Sequence, residues 1–385
     1  MMVQITKENL KKDVQRRVKG LQEILKEKDL CAAILPAAGA PGMNGLLRYF
    51  TNAELWAGKA FVIVTPDDPE PLIIYWSNYA AAWGEEMATT SRIESTIMTD
   101  YTPIDRVCEV VKEVADSSKR VGLANRDVTF LFQEWMDLKD GLEEFEIVDI
   151  TDDVNEIRVI KSAFEIAVMD NLGRIMAEAF DIYEQNLKPG VRAWEVAAMA
   201  EAHIKGQGGY WGRQKYSLDE RPYTIPTALD RRLQKDDIIL FELVYAGPYG
   251  YWCEMTSVFS FGDLPAETKR RLDTTELAIQ ESAKAAVPGA HKGIVGEVSD
   301  RVFTEAGYKV IGAHTRHCHT IGTDEVDLRA PLPPEAELRE NMVLSYHPAT
   351  LLDGDLAFLI SDNFVVTKEG AIPLSPRGKP HRIIQ

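Results

Sequence analysis

Residues 231–262 read RRLQKDDIILFELVYAGPYGYWCEMTSVFSFG. Two apolar runs, DIILFELV (237–244) and YWCEMTSVFSFG (251–262), flank a stretch broken by Gly247, Pro248 and Gly250. Their length and aromatic, β-branched content predict a pair of short strands. Each run carries one residue foreign to an apolar strand: Glu242 in the first and Glu254 in the second. A buried carboxylate without a partner costs several kcal/mol. One such residue is explained by a structural ion pair. Two on neighbouring strands, with histidines further on, point to a cleft.

Downstream, the chain continues in short strands at 341–349 (NMVLSYHPA) and 363–367 (NFVVT), interrupted by helices at about 266–286 and 293–306. Upstream, a long amphipathic helix covers 161–187 and stops at Pro189-Gly190, and a second follows over 192–206. This half predicts an α+β domain with a largely antiparallel sheet. The N-terminal half alternates differently. Leu10, Val14, Val18, Leu21 and Leu25 lie at helical spacing within 5–29. CAAILPAAG, LLRYFTN (46–52), KAFVIVT (59–65), PLIIYW (71–76), KRVGLAN (119–125) and FEIVDIT predict strands; 104–117 and VTFLFQEWMDL predict helices. Strands alternating with helices define an α/β domain. The charged segment 152–166 separates the two, giving domains 1–155 and 156–385.

The chain has 385 residues and a net charge of −17. An acidic surface repels phosphate backbones, so nucleic acid is excluded as a partner. No apolar run approaches the roughly 20 residues of a membrane span, and the polar N-terminus lacks the apolar core of a signal peptide. The four cysteines, Cys31, Cys108, Cys253 and Cys318, form no CxxC pair. Scattered thiols suit a reducing compartment. The expectation is a cytoplasmic protein acting on a small molecule.

Of seven histidines, three crowd the stretch HTRHCH: His314, His317 and His319. His347 follows the apolar run MVLSY. A single histidine after such a run is normally a packed core residue; beside two odd carboxylates it becomes a proton-transfer candidate. In GGYWGRQKY (208–216), Trp211 lies with Tyr210, Tyr216 and Arg213, and an aromatic face there would suit an ammonium group; plain packing is the alternative. Arg316 and Arg329 are candidates for gripping a substrate carboxylate.

Four segments, in order, resemble the creatinase/prolidase/aminopeptidase P family. They are IRVIKSAFEIAVMDNLGRIMAEAF with LKPGVRAWEVAA, the strand pair 231–262, HCHTIG, and LRENMVLSYHPA with LISDNFVVTKEG. The resemblance implies a creatinase-type α/β N-terminal domain, a pita-bread α+β catalytic domain, and a homodimer in which Trp56 and Lys59 of one subunit approach the other's site. It also implies ligand positions. The two aspartate positions fall on Glu242 and Glu254, the histidine on His319, the first glutamate on His347, and the last on Ser361 or its neighbour Asp362. Two hard divalent cations need bridging carboxylate oxygens, and two positions have lost theirs. The usual dinuclear peptidase site is therefore not expected.

Three readings remain open. In the first, the chain is a creatinase-like hydrolase of a C–N bond in a small amino- or amidino-acid. There Glu242 and Glu254 hold a cationic group and His319 and His347 move protons without metal. Creatinase resembles the chain in having glutamate at the Glu254 position, but its catalytic histidine falls near Thr224–Ile225, where this chain has none. In the second, Glu254, His319 and His347 hold a single divalent transition metal in a hydrolase or lyase. In the third, the domain is an inactive binding module. No cofactor follows from the residues alone.

Overall fold

The computed structural model describes residues 3–384, apart from 41, 97–101, 116–117, 218–230, 314–317, 327–331, 349, 354, 357 and 376–378. By internal packing the chain divides into Met1–Phe164 and Glu165–Gln385.

The first unit is built on a six-stranded mixed sheet in the order β4-β3-β2-β1-β5-β6. Its strands are β1 (Ala33–Ala38), β2 (Lys59–Val64), β3 (Leu72–Tyr75), β4 (Arg92–Ser95), β5 (Arg120–Leu123) and β6 (Glu146–Asp149). Ile34, Phe61, Ile74 and Val121 from the sheet meet Val107, Val111 and Leu138 from the helices Pro103–Val114 and Phe132–Gly141 in one core. The helix Lys7–Glu27 buries Leu10, Val14, Val18, Leu21 and Leu25, the stripe its spacing predicts.

One expectation is corrected. LLRYFTN forms a helix, Gly45–Thr51, instead of a strand. A short apolar run carries no periodicity that separates buried strand from buried helix. What decides it here is the end: Asn52 takes the left-handed conformation at φ 57° and caps the helix, with its amide donating to the Arg48 carbonyl. The charged segment after β6 also folds, as the helix Thr151–Val159 with Val154 buried.

In the second unit the predicted strand pair is β8 (Ile238–Ala246) and β9 (Trp252–Ser260), antiparallel and buried along their whole length. β7 (Gly212–Ser217) lies antiparallel on β8, and β17 (His381–Ile383) parallel on β9. A second sheet runs β11-β12-β15-β16, from β11 (Cys318–Thr320), β12 (Val343–Tyr346), β15 (Asp362–Thr367) and β16 (Gly370–Pro373). A small sheet joins β10 (Val310–Ala313), β13 (Thr350–Leu352) and β14 (Asp355–Leu356). Side chains on β8 and β9 alternate between two layers. The odd positions face the helix Ala163–Asn186: Tyr183 stacks on Phe241 at 3.9 Å and meets Phe259 edge-on at 5.0 Å. The even positions, Glu242 and Glu254 among them, face the other way.

Gly212 lets β7 seat under an aromatic ring. It pairs directly with Tyr245, and a Cβ on it would come 2.0 Å from the ring. Gly212→Ala is expected to cost about 1–3 kcal/mol by overpacking. Thermal unfolding should show this as a lowered Tm, and an unchanged Tm would contradict the register.

Candidate active site

The pairing of β8 with β9 sets Glu242 opposite Thr256 and Glu254 opposite Val244, so both carboxylates share one face. In the second sheet His319 lies opposite Ser345, and Ser345 opposite Asn363. The same alternation, carried past the strand ends, adds His347 after β12 and Ser361 before β15. Asp362 pairs with Tyr346, the opposite parity, and points to the other face. The two faces meet: Ser361 and Thr256 bond through their backbones, and the Asn363 amide nitrogen donates to the Glu254 carbonyl at 2.6 Å.

Within the cleft Glu254 Oε2 lies 2.9 Å from His347 Nε2 and accepts from Ser345 Oγ at 3.0 Å. Its Oε1 is 3.6 Å from His319 Nε2, and the two imidazole Nε2 atoms are 3.1 Å apart. His319 Nδ1 sits 3.0 Å from the Thr320 carbonyl, which only accepts, so Nδ1 carries the proton. Ser361 donates to Glu242 Oε1 at 2.6 Å and therefore accepts from His347 Nδ1 at 2.8 Å. Both Nδ1 protons are thus committed outward. Two Nε2 atoms and a carboxylate converge on one point, and only protons or a cation can join them.

Burial opposes ionisation of Glu254, but the charge of His347 and the closeness of His319 outweigh it and hold the carboxyl well below its usual range. For His319, burial pulls the pKa down, while Glu254 pulls it up further, to above the ordinary histidine value.

Among the described residues, Glu254, His319 and His347 form the group whose ligand atoms, all within 4.8 Å of one another, could hold a metal ion. A tetrahedral site with bonds of about 2.0–2.1 Å spaces its ligands about 3.3 Å apart; the two Nε2 atoms lie 3.1 Å apart and Glu254 Oε2 lies 2.9 Å from that of His347, both close to that figure. Two nitrogens and one carboxylate suit a single transition metal. Glu242, the other glutamate on this face of the strand pair, has one oxygen bonded to Ser361 and the other 2.9 Å from the ammonium of Lys215.

Of the residues singled out by sequence, Glu242, Glu254, His319, His347 and Ser361 come together. Trp211 packs edge-on with Tyr210 at 5.4 Å. Arg316, Arg329, His314, His317 and Thr224–Ile225 lie outside the described residues. Sequence reasoning missed Lys215, Ser345 and Asn363, which join the cluster only through strand register. It also missed the two-pronged ion pair of Arg213 with Glu325. Burial works against the Arg213 charge, but Glu325, with Glu254 and Glu242 further off, more than restores it.

Ser361→Ala would free the His347 tautomer. By analogy with other groups that orient ligands, it should weaken metal binding about 10–100-fold. Competition with a chromophoric chelator measures this, and an unchanged affinity would show that the hydroxyl does not orient the ring.

Comparison with known proteins agrees with this architecture. The model of metallopeptidase family M24 matches residues 167–368, and that of the creatinase/prolidase N-terminal domain matches 17–160. The chain belongs to metallopeptidase family M24, with a creatinase-type α/β domain preceding a pita-bread α+β domain. An uncharacterized peptidase of Staphylococcus saprophyticus is 27% identical over 242 residues, 60% of this chain and 66% of that relative, just under two thirds. One from Staphylococcus epidermidis is 22% identical over 92% of this chain and 97% of its own length. Among solved structures, the X-Pro aminopeptidase of Thermotoga maritima superposes with a TM-score of 0.81 at 19% identity, covering 96% of this chain and 99% of its own. The prolidase of Pyrococcus horikoshii gives 0.76 at 17%, covering 96% and 100%. No helix among the described residues is long and apolar enough to cross a membrane.

Proposed function

We propose that the chain hydrolyses a C–N bond, the peptide type included, in a small polar amino- or amidino-acid substrate. In this reading the centre is served by one divalent transition-metal ion at Glu254, His319 and His347. The observation that carries this is the convergence of two Nε2 atoms on the Glu254 carboxylate, with both Nδ1 atoms engaged elsewhere. Membership of a metallopeptidase family and prolidase-like neighbours support the reaction class. When bound, such an ion lowers the pKa of coordinated water and polarises a carbonyl. Glu254 supplies the negative charge, His319 and His347 present nitrogen lone pairs, and Glu242 with Ser361 fixes the orientation of His347. Trp211 offers an aromatic face to a substrate cation.

A second reading of the same reaction dispenses with metal. In it Glu254 and the two imidazoles pass protons among themselves, and the separations of 2.9 Å and 3.1 Å within the cluster favour it.

Elemental analysis of protein purified without added metal separates the two. Stoichiometric transition metal, lost in His319→Ala, is expected. Full hydrolytic activity in protein stripped of metal would select the second reading. Failure of metal-loaded and stripped protein alike to release amine from N-acyl amino acids, amidines or dipeptides would contradict both.

A further inference from the structure

We propose that the ammonium of Lys215 is the resident cation of the Glu242 half of the cleft, standing where a second divalent ion would otherwise be required, so that the chain takes no more than one metal ion. The inference goes beyond the hydrolase reading. It concerns Glu242 and holds whether or not the Glu254 half carries an ion.

The placement of Lys215 follows from backbone pairing. On β7 it lies directly opposite Glu242 on β8, and Arg213 lies opposite Val244. Opposed residues of an antiparallel pair share a face, so Lys215 projects onto the face that carries both glutamates. Its Nζ comes 2.9 Å from Glu242 Oε2, within ion-pair range although not aligned as a hydrogen bond. Lys215 keeps 28% of its side chain exposed, while Glu242 is all but fully buried. A buried carboxylate must be compensated, and the only other group on it is the neutral hydroxyl of Ser361 among the contacts described. Carboxylate plus ammonium sums to zero charge. A divalent ion added there would face one carboxylate already neutralised, a hydroxyl, and a fixed positive charge beside it. Hard cations need several negative oxygens, and this half of the cleft supplies one.

The experiment is a Co2+ titration of the metal-stripped full chain by equilibrium dialysis with elemental analysis. Wild type is expected to saturate at no more than one ion per chain. Ser361→Glu alone should leave that count unchanged, because Lys215 still occupies Glu242. Lys215→Ala combined with Ser361→Glu should gain one ion, and Lys215→Arg with Ser361→Glu should not. Two ions in wild type, a gain in Ser361→Glu alone, or no gain in a folded double variant would each overturn the proposal. Should that double variant not fold, Lys215→Gln combined with Ser361→Asp takes its place; it is expected to gain one ion, and a count identical to wild type overturns the idea. A wild-type count of zero with a gain of one in the double variant supports the lysine's role while contradicting the single-ion reading of Glu254.

Discussion

Replacing His347 with alanine is expected to abolish turnover, by at least about 10³-fold, while leaving the fold in place. Among the described residues, the two halves are joined through Ser361 and His347. Its Nε2 meets Glu254 at 2.9 Å and His319 at 3.1 Å, and its Nδ1 reaches through Ser361 to Glu242. Removing it takes a ligand from the single-ion centre and the proton carrier from the metal-free one, so both readings share the outcome. The side chain is 14% exposed, which lets water enter the vacated space and limits the loss of stability. Kinetics together with circular dichroism check this. A variant with native spectrum and near wild-type turnover would remove His347 from the chemistry.

Glu254→Gln should be nearly as damaging, with turnover down by about 10³-fold, and it has a second readout. The substitution keeps size and shape but removes the charge. In metal-stripped protein, Glu254 raises the His319 pKa above the unfolded value. That contribution to stability is present in full below the unfolded histidine pKa, and it is lost as pH rises through the higher folded value. Glu254 itself is depressed, so its contribution is present above the unfolded carboxylate pKa and lost as pH falls through the lower folded value. Stability of the stripped wild type should therefore decline on both sides of a plateau. In Glu254→Gln the alkaline decline disappears and the His319 pKa, read by NMR, moves down. An unmoved His319 resonance would show that the carboxylate does not set its protonation.

Glu242 and Glu254 were legible because a carboxylate in an apolar strand has few explanations. The paired strands were legible because both runs are long, apolar and separated by glycine and proline. Lys215 was not: GRQKYS is a polar strand with nothing unusual about a lysine, and only its register with β8 brings it onto Glu242. Ser345 sits inside an apolar run and reads as a filler until β11 and β15 flank it. Arg213 and Glu325 are 112 positions apart, a separation no local pattern spans. LLRYFTN misled because seven apolar-rich residues fit strand and helix alike, and the left-handed Asn52 that decides between them is a property of the folded backbone.

X-ray absorption spectroscopy of the Co2+-loaded protein reads the ligand shell of the Glu254, His319 and His347 centre and any neighbouring metal at once. One ion ligated by two imidazoles and a carboxylate is expected, with no metal–metal scattering. A metal–metal vector at about 3.5–4 Å, or a shell without imidazole, would contradict it.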